Sequence, residues 1–190
     1  MASSSDPKVK GVALRSAMRA LEQVRGKAVC DAATQAMPAQ LADGLRYGTI
    51  LAARWYPISW YRDLHSGIVA ATNEGDRIIR ELEREAARAD MSGVYSIAFK
   101  LLSPQTLISL SSRLFSTYYD TGRVETLEAR KGYVKIRWTG CTGFTRTIWV
   151  GLFASCEMML ELAGGKNVRT HVITGGGQED DFADVEAFWT

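Results

Sequence analysis

The sequence predicts an α+β fold: an N-terminal helical half packed on a four-stranded antiparallel sheet, with one helix inserted between strands two and three. Three observations carry this. Apolar residues recur at three- and four-residue steps from Gly11 to about Tyr118. The apolar period falls to two after Gly122. One last helical stretch, Ile148 to Ala163, separates the first pair of alternating segments from the second.

Residues 1–9, which open Met-Ala-Ser-Ser-Ser-Asp-Pro, read as a disordered polar tail, and residues 10–190 as a single α+β ligand-binding-like domain. Leu14, Met18, Leu21 and Val24 mark the first helix; Gly26 separates it from a second that Pro38 ends. A short turn of helix around Gln40 to Leu45 follows. Pro57 fits the first position of a helix, where its missing N–H costs nothing; Trp60, Leu64 and Ile68 form that helix's stripe, and Thr72-Asn73 its end.

The longest helical pattern runs from about Asp76 to Leu102. Its inner side carries Ile79, Leu82, Ala86, Ala87, Val94, Ile97 and Leu101, and Gly93 marks a bend or break. The Arg- and Glu-dense run from Arg77 to Arg88 reads as a solvated, ion-paired face. Ser103-Pro104 is a cap followed by proline, opening a helix with Leu107, Leu110, Leu114 and Tyr118 on one stripe; Gly122 supplies its stop.

Val124–Ala129 and Tyr133–Trp138 flank the turn at Arg130-Lys131-Gly132 and read as a hairpin. In its second strand Val134, Ile136 and Trp138 face inward, and Tyr133, Lys135 and Arg137 outward. Ile148, Trp149, Leu152, Cys156, Met159 and Leu160 then form an amphipathic helix closed by Gly164-Gly165. Strands over about Val168–Thr174 and Phe182–Trp189 flank a glycine-rich turn, Gly175 to Asp180.

A chain of 190 residues, 46% hydrophobic, can bury a core as one domain, and a formal charge of +2 argues against a strongly electrostatic nucleic-acid binder. The longest apolar stretch, Thr147–Ala163, is broken by Glu157 and Glu161 and is short of a bilayer span, so the chain reads as soluble and cytoplasmic. Cys30, Cys141 and Cys156 are odd in number and scattered, which suits buried thiols better than a disulfide framework or a zinc site.

No catalytic or metal-ligating pattern emerges. His65 and His171 have no Cys, Asp or Glu at ligand spacing, and no Ser-His-Asp or Cys-His set is favoured. Thr139–Gly143 sits between a strand and a helix, as a phosphate loop would, but lacks the lysine and the glycine spacing. Glu179-Asp180-Asp181 lacks the alternation of a calcium loop. Arg123, Arg130, Lys131, Lys135 and Arg137 gather on the first hairpin; the ordinary reading is a solvated strand face, the sharper one a phosphate or nucleic-acid contact. Trp55, Tyr56, Trp60 and Tyr61 cluster around a helix start and suit a core, an interface or an apolar pocket.

Trp55-Tyr56-Pro57, Val94-Tyr95, Leu102-Ser103-Pro104, Tyr118-Tyr119-Asp120-Thr121-Gly122 and the Gly175–Gly177 turn before a strand ending in Trp189 occur in that order. Together they resemble a paralogous family from predatory, fruiting soil bacteria. That family is similar in layout to the superfamily of haem-NO-binding domains, 4-vinyl reductase domains and Golgi vesicle-tethering subunits. The resemblance implies helices on an antiparallel sheet, frequent dimers and a small apolar ligand. The haem-binding histidine motif, the Tyr-Ser-Arg triplet and the cysteines near the last hairpin find no match here, which argues against both haem and zinc.

The sequence therefore favours a non-enzymatic sensory or regulatory domain that forms a homodimer or binds a partner protein, with a hydrophobic small molecule between helices and sheet. Trp55, Tyr56, Trp60, Tyr95, Phe115, Trp149 and Phe153 are the expected pocket residues. The alternatives are a tetrapyrrole-related reductase-like enzyme and a nucleic-acid contact through the basic hairpin.

Overall fold

The structure is a computed structural model that describes residues 6–91 and 102–190. Among these, eight helices and six strands run in the order β1 (Lys8–Lys10), α1 (Gly11–Arg25), α2 (Lys27–Gln35), α3 (Ala39–Arg46), β2 (Trp55–Pro57), α4 (Ile58–Thr72), α5 (Asp76–Asp90), α6 (Pro104–Ser109), α7 (Ser111–Tyr118), β3 (Arg123–Arg130), β4 (Tyr133–Thr139), α8 (Arg146–Leu162), β5 (Arg169–Gly175) and β6 (Ala183–Phe188). The α+β layout expected from the sequence is the one observed. The main sheet is antiparallel throughout in the order β3-β4-β6-β5, with α8 between its second and third strands in sequence.

Three elements differ from the sequence reading. Residues 8 and 9, assigned to the tail, belong to β1, which pairs with β2 in a two-stranded sheet. Ile58 N–H bonds the Pro7 carbonyl at 2.8 Å, and Lys8 N–H bonds Asp120 Oδ1 at 2.6 Å, so backbone donors hold the segment down. The long helical pattern from Asp76 is α5, which ends at Asp90; Gly93, Val94, Ile97 and Leu101 lie outside the described residues. The single helix expected after Ser103 is two, α6 and α7, parted at Leu110.

Local chemistry explains most boundaries. Ser103 Oγ accepts the Thr106 N–H at 3.2 Å, capping α6 with proline at its first position. Asn73 closes α4 in the left-handed region at φ 54°. Gly122 has φ 81°, and a Cβ there would lie 2.6 Å from Cys141 Sγ, so only glycine turns the chain from α7 into β3.

The core lies where α5 and α8 cross. Ile78, Ile79, Leu82, Ile148 and Trp149 are fully buried there, and Leu14 and Leu21 of α1 and Leu64 and Ile68 of α4 pack around them. A Cβ on Gly151 would meet Glu83 Cγ at 2.8 Å, so α8 presents a bare backbone at the point where a glutamate of α5 must turn inward.

Gly151→Ala is expected to cost about 1–3 kcal/mol, the range for overpacking a filled interior. Urea unfolding checks this. Combining it with Glu83→Ala should recover part of the loss, because the two side chains compete for one space.

Candidate functional site

The helices and the sheet leave a cavity of about 140 Å³ between them. Val134, Ile136 and Trp138 of β4 with Val185 and Ala187 of β6 form its floor. Leu107, Ile108, Leu114 and Phe115 of α6 and α7 close one side, Leu152, Phe153, Cys156 and Met159 of α8 another, and Ala86 and Ala87 of α5 the roof. The strand pleat puts Val134, Ile136 and Trp138 on this face, as the alternation in the sequence predicted.

Few polar groups interrupt the apolar wall. Tyr61 Oη donates to Glu83 Oε1 at 2.7 Å, and His65 Nε2 stands 3.4 Å from the same oxygen. The Tyr61 and His65 rings lie 4.3 Å apart. Burial, and then the Glu83 carboxyl, push the Tyr61 phenol far above its ordinary pKa; burial followed by Glu83 does the same to Tyr119. The Tyr118 phenol is raised to about 12 by burial and then by Asp90. Asp90 Oδ1 in turn accepts from Ser16 Oγ at 2.8 Å and Arg19 at 2.6 Å. Burial, then Glu157, lifts the Cys156 thiol to about 12. These phenols and the thiol are protonated at neutral pH.

Two buried polar atoms have no hydrogen-bond partner among the described residues: His65 Nδ1 and Trp138 Nε1. Trp138 lines the cavity and packs on Phe153, ring centroids 5.8 Å apart. Trp149, one layer deeper, donates its own indole N–H to the Asp180 carbonyl at 3.0 Å.

Of the pocket residues named from the sequence, Phe115 and Phe153 line this cavity. Trp149 supports it from beneath, stacked on Phe153 at 5.7 Å. Trp55, Tyr56 and Trp60 do not line it; they sit at the β1–β2 end, where Lys10 Nζ lies 3.9 Å over the Trp55 ring and Tyr56 stacks on Trp60 at 5.3 Å. Tyr95 lies outside the described residues. Sequence reasoning passed over Glu83 and the Trp138 N–H, and weighed His65 only as a metal ligand. Glu83 carried a signal, since it falls four residues from both Ile79 and Ala87 on the inner stripe of α5.

On the basic hairpin, Arg137 makes two hydrogen bonds to Asp184, at 2.8 and 2.6 Å, and Arg130 pairs with Glu128 while its guanidinium lies 4.2 Å from the Tyr133 ring. Lys135 stands opposite Glu186 and Glu128 in the strand register. Arg123 and Lys131 are exposed. Carboxylates thus interleave with the cations of this face. His171 is exposed on β5, 3.8 Å from Glu186. Thr139 ends β4 and Gly140–Gly143 is a loop, and Gly175–Gly177 leads from β5 towards β6, Gly177 N–H bonding Asp180 Oδ2 at 2.8 Å. Among the described residues no three His, Cys, Asp or Glu side chains gather as a metal site, and no helix is long and apolar enough to cross a membrane.

A second buried carboxylate ties α5, α8 and β5 together beside the cavity. Glu157 of α8, buried, accepts from Arg80 and, at 3.3 Å, from Arg84, both of α5, and from Thr170 of β5 through its N–H at 3.1 Å and its hydroxyl at 2.5 Å. Burial raises its pKa, but the hydrogen bonds from Arg80 and Thr170 outweigh this and leave it below the ordinary carboxylate value.

No protein-family model matches the chain, and no curated protein matches it. Solved structures do. The Fe(II) unliganded H-NOX protein from K. algicida superposes with a TM-score of 0.70 at 11% identity, covering 95% of this chain and 96% of that one. An oxygen-binding H-NOX domain related to soluble guanylate cyclases, in its oxygen complex, gives 0.68 at 12% identity and 95% of each chain. A structure concerned with haem redox potential and porphyrin distortion gives 0.67 at 12% identity, covering 95% of this chain and 99% of that one. At such identity the likeness is one of fold, and it supports the superfamily layout seen in the sequence; the narrower bacterial paralogous family has no counterpart among them. It also corrects the argument against haem. That argument rested on missing motifs, whereas the whole fold is shared with proteins described by their haem.

Glu157→Gln is expected to lose about 1.5–3 kcal/mol, the range for hydrogen bonds to charged groups. A carboxyl with a depressed folded pKa stabilises at neutral pH and loses that contribution as pH falls below the ordinary carboxylate range. Urea melts from pH 7 to pH 3 should therefore show the wild type and the variant converging as acid is added.

Proposed function

We propose that this chain is a non-catalytic sensory or regulatory domain that seats an apolar, ring-shaped ligand between α5, α8 and the sheet. The cavity carries this reading: it is walled by side chains from both halves of the fold, so an occupant touches helices and sheet at once. A ligand at such a seam can alter how the halves pack and pass its presence to a second copy of the chain or to a partner protein.

Haem is the first ligand to consider, because it names the structures that share this fold. The donor chemistry of the wall suits it: haem iron takes tyrosinate, thiolate or thioether ligands as well as imidazole, and Tyr118, Tyr119, Cys156 and Met159 all face the cavity. When bound, haem would supply a site for a diatomic gas. The apolar walls would enclose its ring faces and exclude water, and burial would keep the phenols and the thiol protonated until a metal claimed one. No Lys or Arg is among the described residues of the lining, so the propionates would belong at the mouth.

A second reading is favoured by size. About 140 Å³ holds a ring no larger than benzene or indole without movement, whereas drug-sized ligands occupy roughly 300–1,000 Å³. A small uncharged ring fits the cavity as it stands, and a tetrapyrrole requires the helices to draw away from the sheet.

Titration of the purified protein with haem, followed by absorbance and thermal melting, tests the proposal. Binding at about a hundred times Kd should add about 2.7 kcal/mol, a rise in Tm of roughly 5–10 °C, with a shifted Soret band at one haem per chain. Ala86→Trp, which fills the cavity, should abolish both. A protein that responds neither to haem nor to benzene-sized rings would overturn the ligand seat.

A further inference from the structure

The polar atoms of the cavity define its occupant more narrowly than its shape does. Trp138 is 4% exposed, lines the cavity, and its indole N–H meets no acceptor among the described residues. A buried donor without a partner carries the full cost of its lost hydration, which a phenylalanine at the same position would avoid. Trp149 in the same core shows the ordinary arrangement, its N–H satisfied by the Asp180 carbonyl.

Across the same cavity stands Glu83, 8% exposed. Its Oε1 takes the Tyr61 hydroxyl and faces His65, whose own Nδ1 has no partner among the described residues. Asp90, the other carboxyl of the lining, is already held by Arg19 and Ser16. With no Lys or Arg on the described wall, an anion would find no countercharge and would meet Glu83. A cation would have to be stripped of water against apolar walls for a carboxylate whose first oxygen is already shared.

Resting on the reading of this cavity as a ligand seat, we propose that it recognises an uncharged heteroaromatic molecule of one or two rings. The ligand carries a hydrogen-bond acceptor taken by Trp138 Nε1–H and a donor taken by Glu83. The ring fills the space between Phe153, Phe115 and Ile136; its acceptor answers the unpartnered Trp138 donor, and its donor reaches the Glu83 carboxyl, of which Tyr61 and His65 engage one oxygen.

Benzimidazole and indole separate the requirements, since they share size and an N–H donor and differ by one ring nitrogen acceptor. Side-chain ¹⁵N spectra of the five tryptophans, with the Trp138 peak assigned by its loss in Trp138→Phe, give a readout in the unaltered protein. Benzimidazole is expected to move that peak downfield and to bind about tenfold more tightly than indole, with the advantage lost in Trp138→Phe. Equal binding of the two rings with the Trp138 peak unmoved overturns the proposal and leaves the ligand seat standing. Tighter binding of benzamidinium than of benzimidazole overturns the uncharged class. If neither ring binds at millimolar concentration while haem does, the seat stands and this specificity falls; if nothing binds, both fall.

Discussion

The crossing of α5 and α8 is the constraint on which the rest of the structure depends. These helices come from opposite sides of the period change at Gly122, so their contact joins the helical half to the sheet half. Two glutamates govern it. Glu83 turns in from α5 over the bare backbone of Gly151, and Glu157 turns back from α8 to Arg80 and Arg84. Each acid is buried and each is answered by hydrogen bonds, the condition under which burying a carboxyl is tolerated.

The two acids do different work because their partners differ. Glu157 is met by guanidinium groups and by Thr170, which extends the clasp from α5 through α8 to β5 and fixes the sheet beneath the helices. Glu83 is met by a phenol and an imidazole and by no guanidinium. The first arrangement is saturated and rigid. The second stands at the wall of a cavity that is also lined by Trp138, whose indole donor has no partner among the described residues. Natural interiors rarely leave such a donor unpaired.

How much of this was legible in the sequence follows from which signals are local. Gly26, Asn73, Ser103-Pro104 and Gly122 set their boundaries through their own backbone preferences, and each stands where it was read. The alternation of Val134, Ile136 and Trp138 fixed which face of β4 looks inward. β1 and β2, of three residues each, are too short for any period to show, and their pairing joins Lys8 to Pro57 and Lys10 to Trp55, distant partners that only the folded chain can reveal. Glu83 was hidden by company: in a run dense with Arg and Glu, its place on the apolar stripe of α5 was outweighed by its charge. The aromatic cluster at Trp55–Trp60 drew attention by local density, whereas a cavity forms where distant elements fail to close. Phe115 and Phe153, separated by 38 positions, meet there.

The shared layout with H-NOX structures at 11–12% identity shows how little of a fold's sequence is bound to its ligand. What must persist is the framework: an amphipathic pair of helices crossing over an inward-facing strand, with small residues where backbones approach. The side chains that line the seam can change without disturbing that framework. In this chain the polar members of that lining include phenols, a thiol, two carboxyls and one indole donor without a partner among the described residues. The fold makes the cavity, and that polar set, rather than the fold, gives its wall its chemistry.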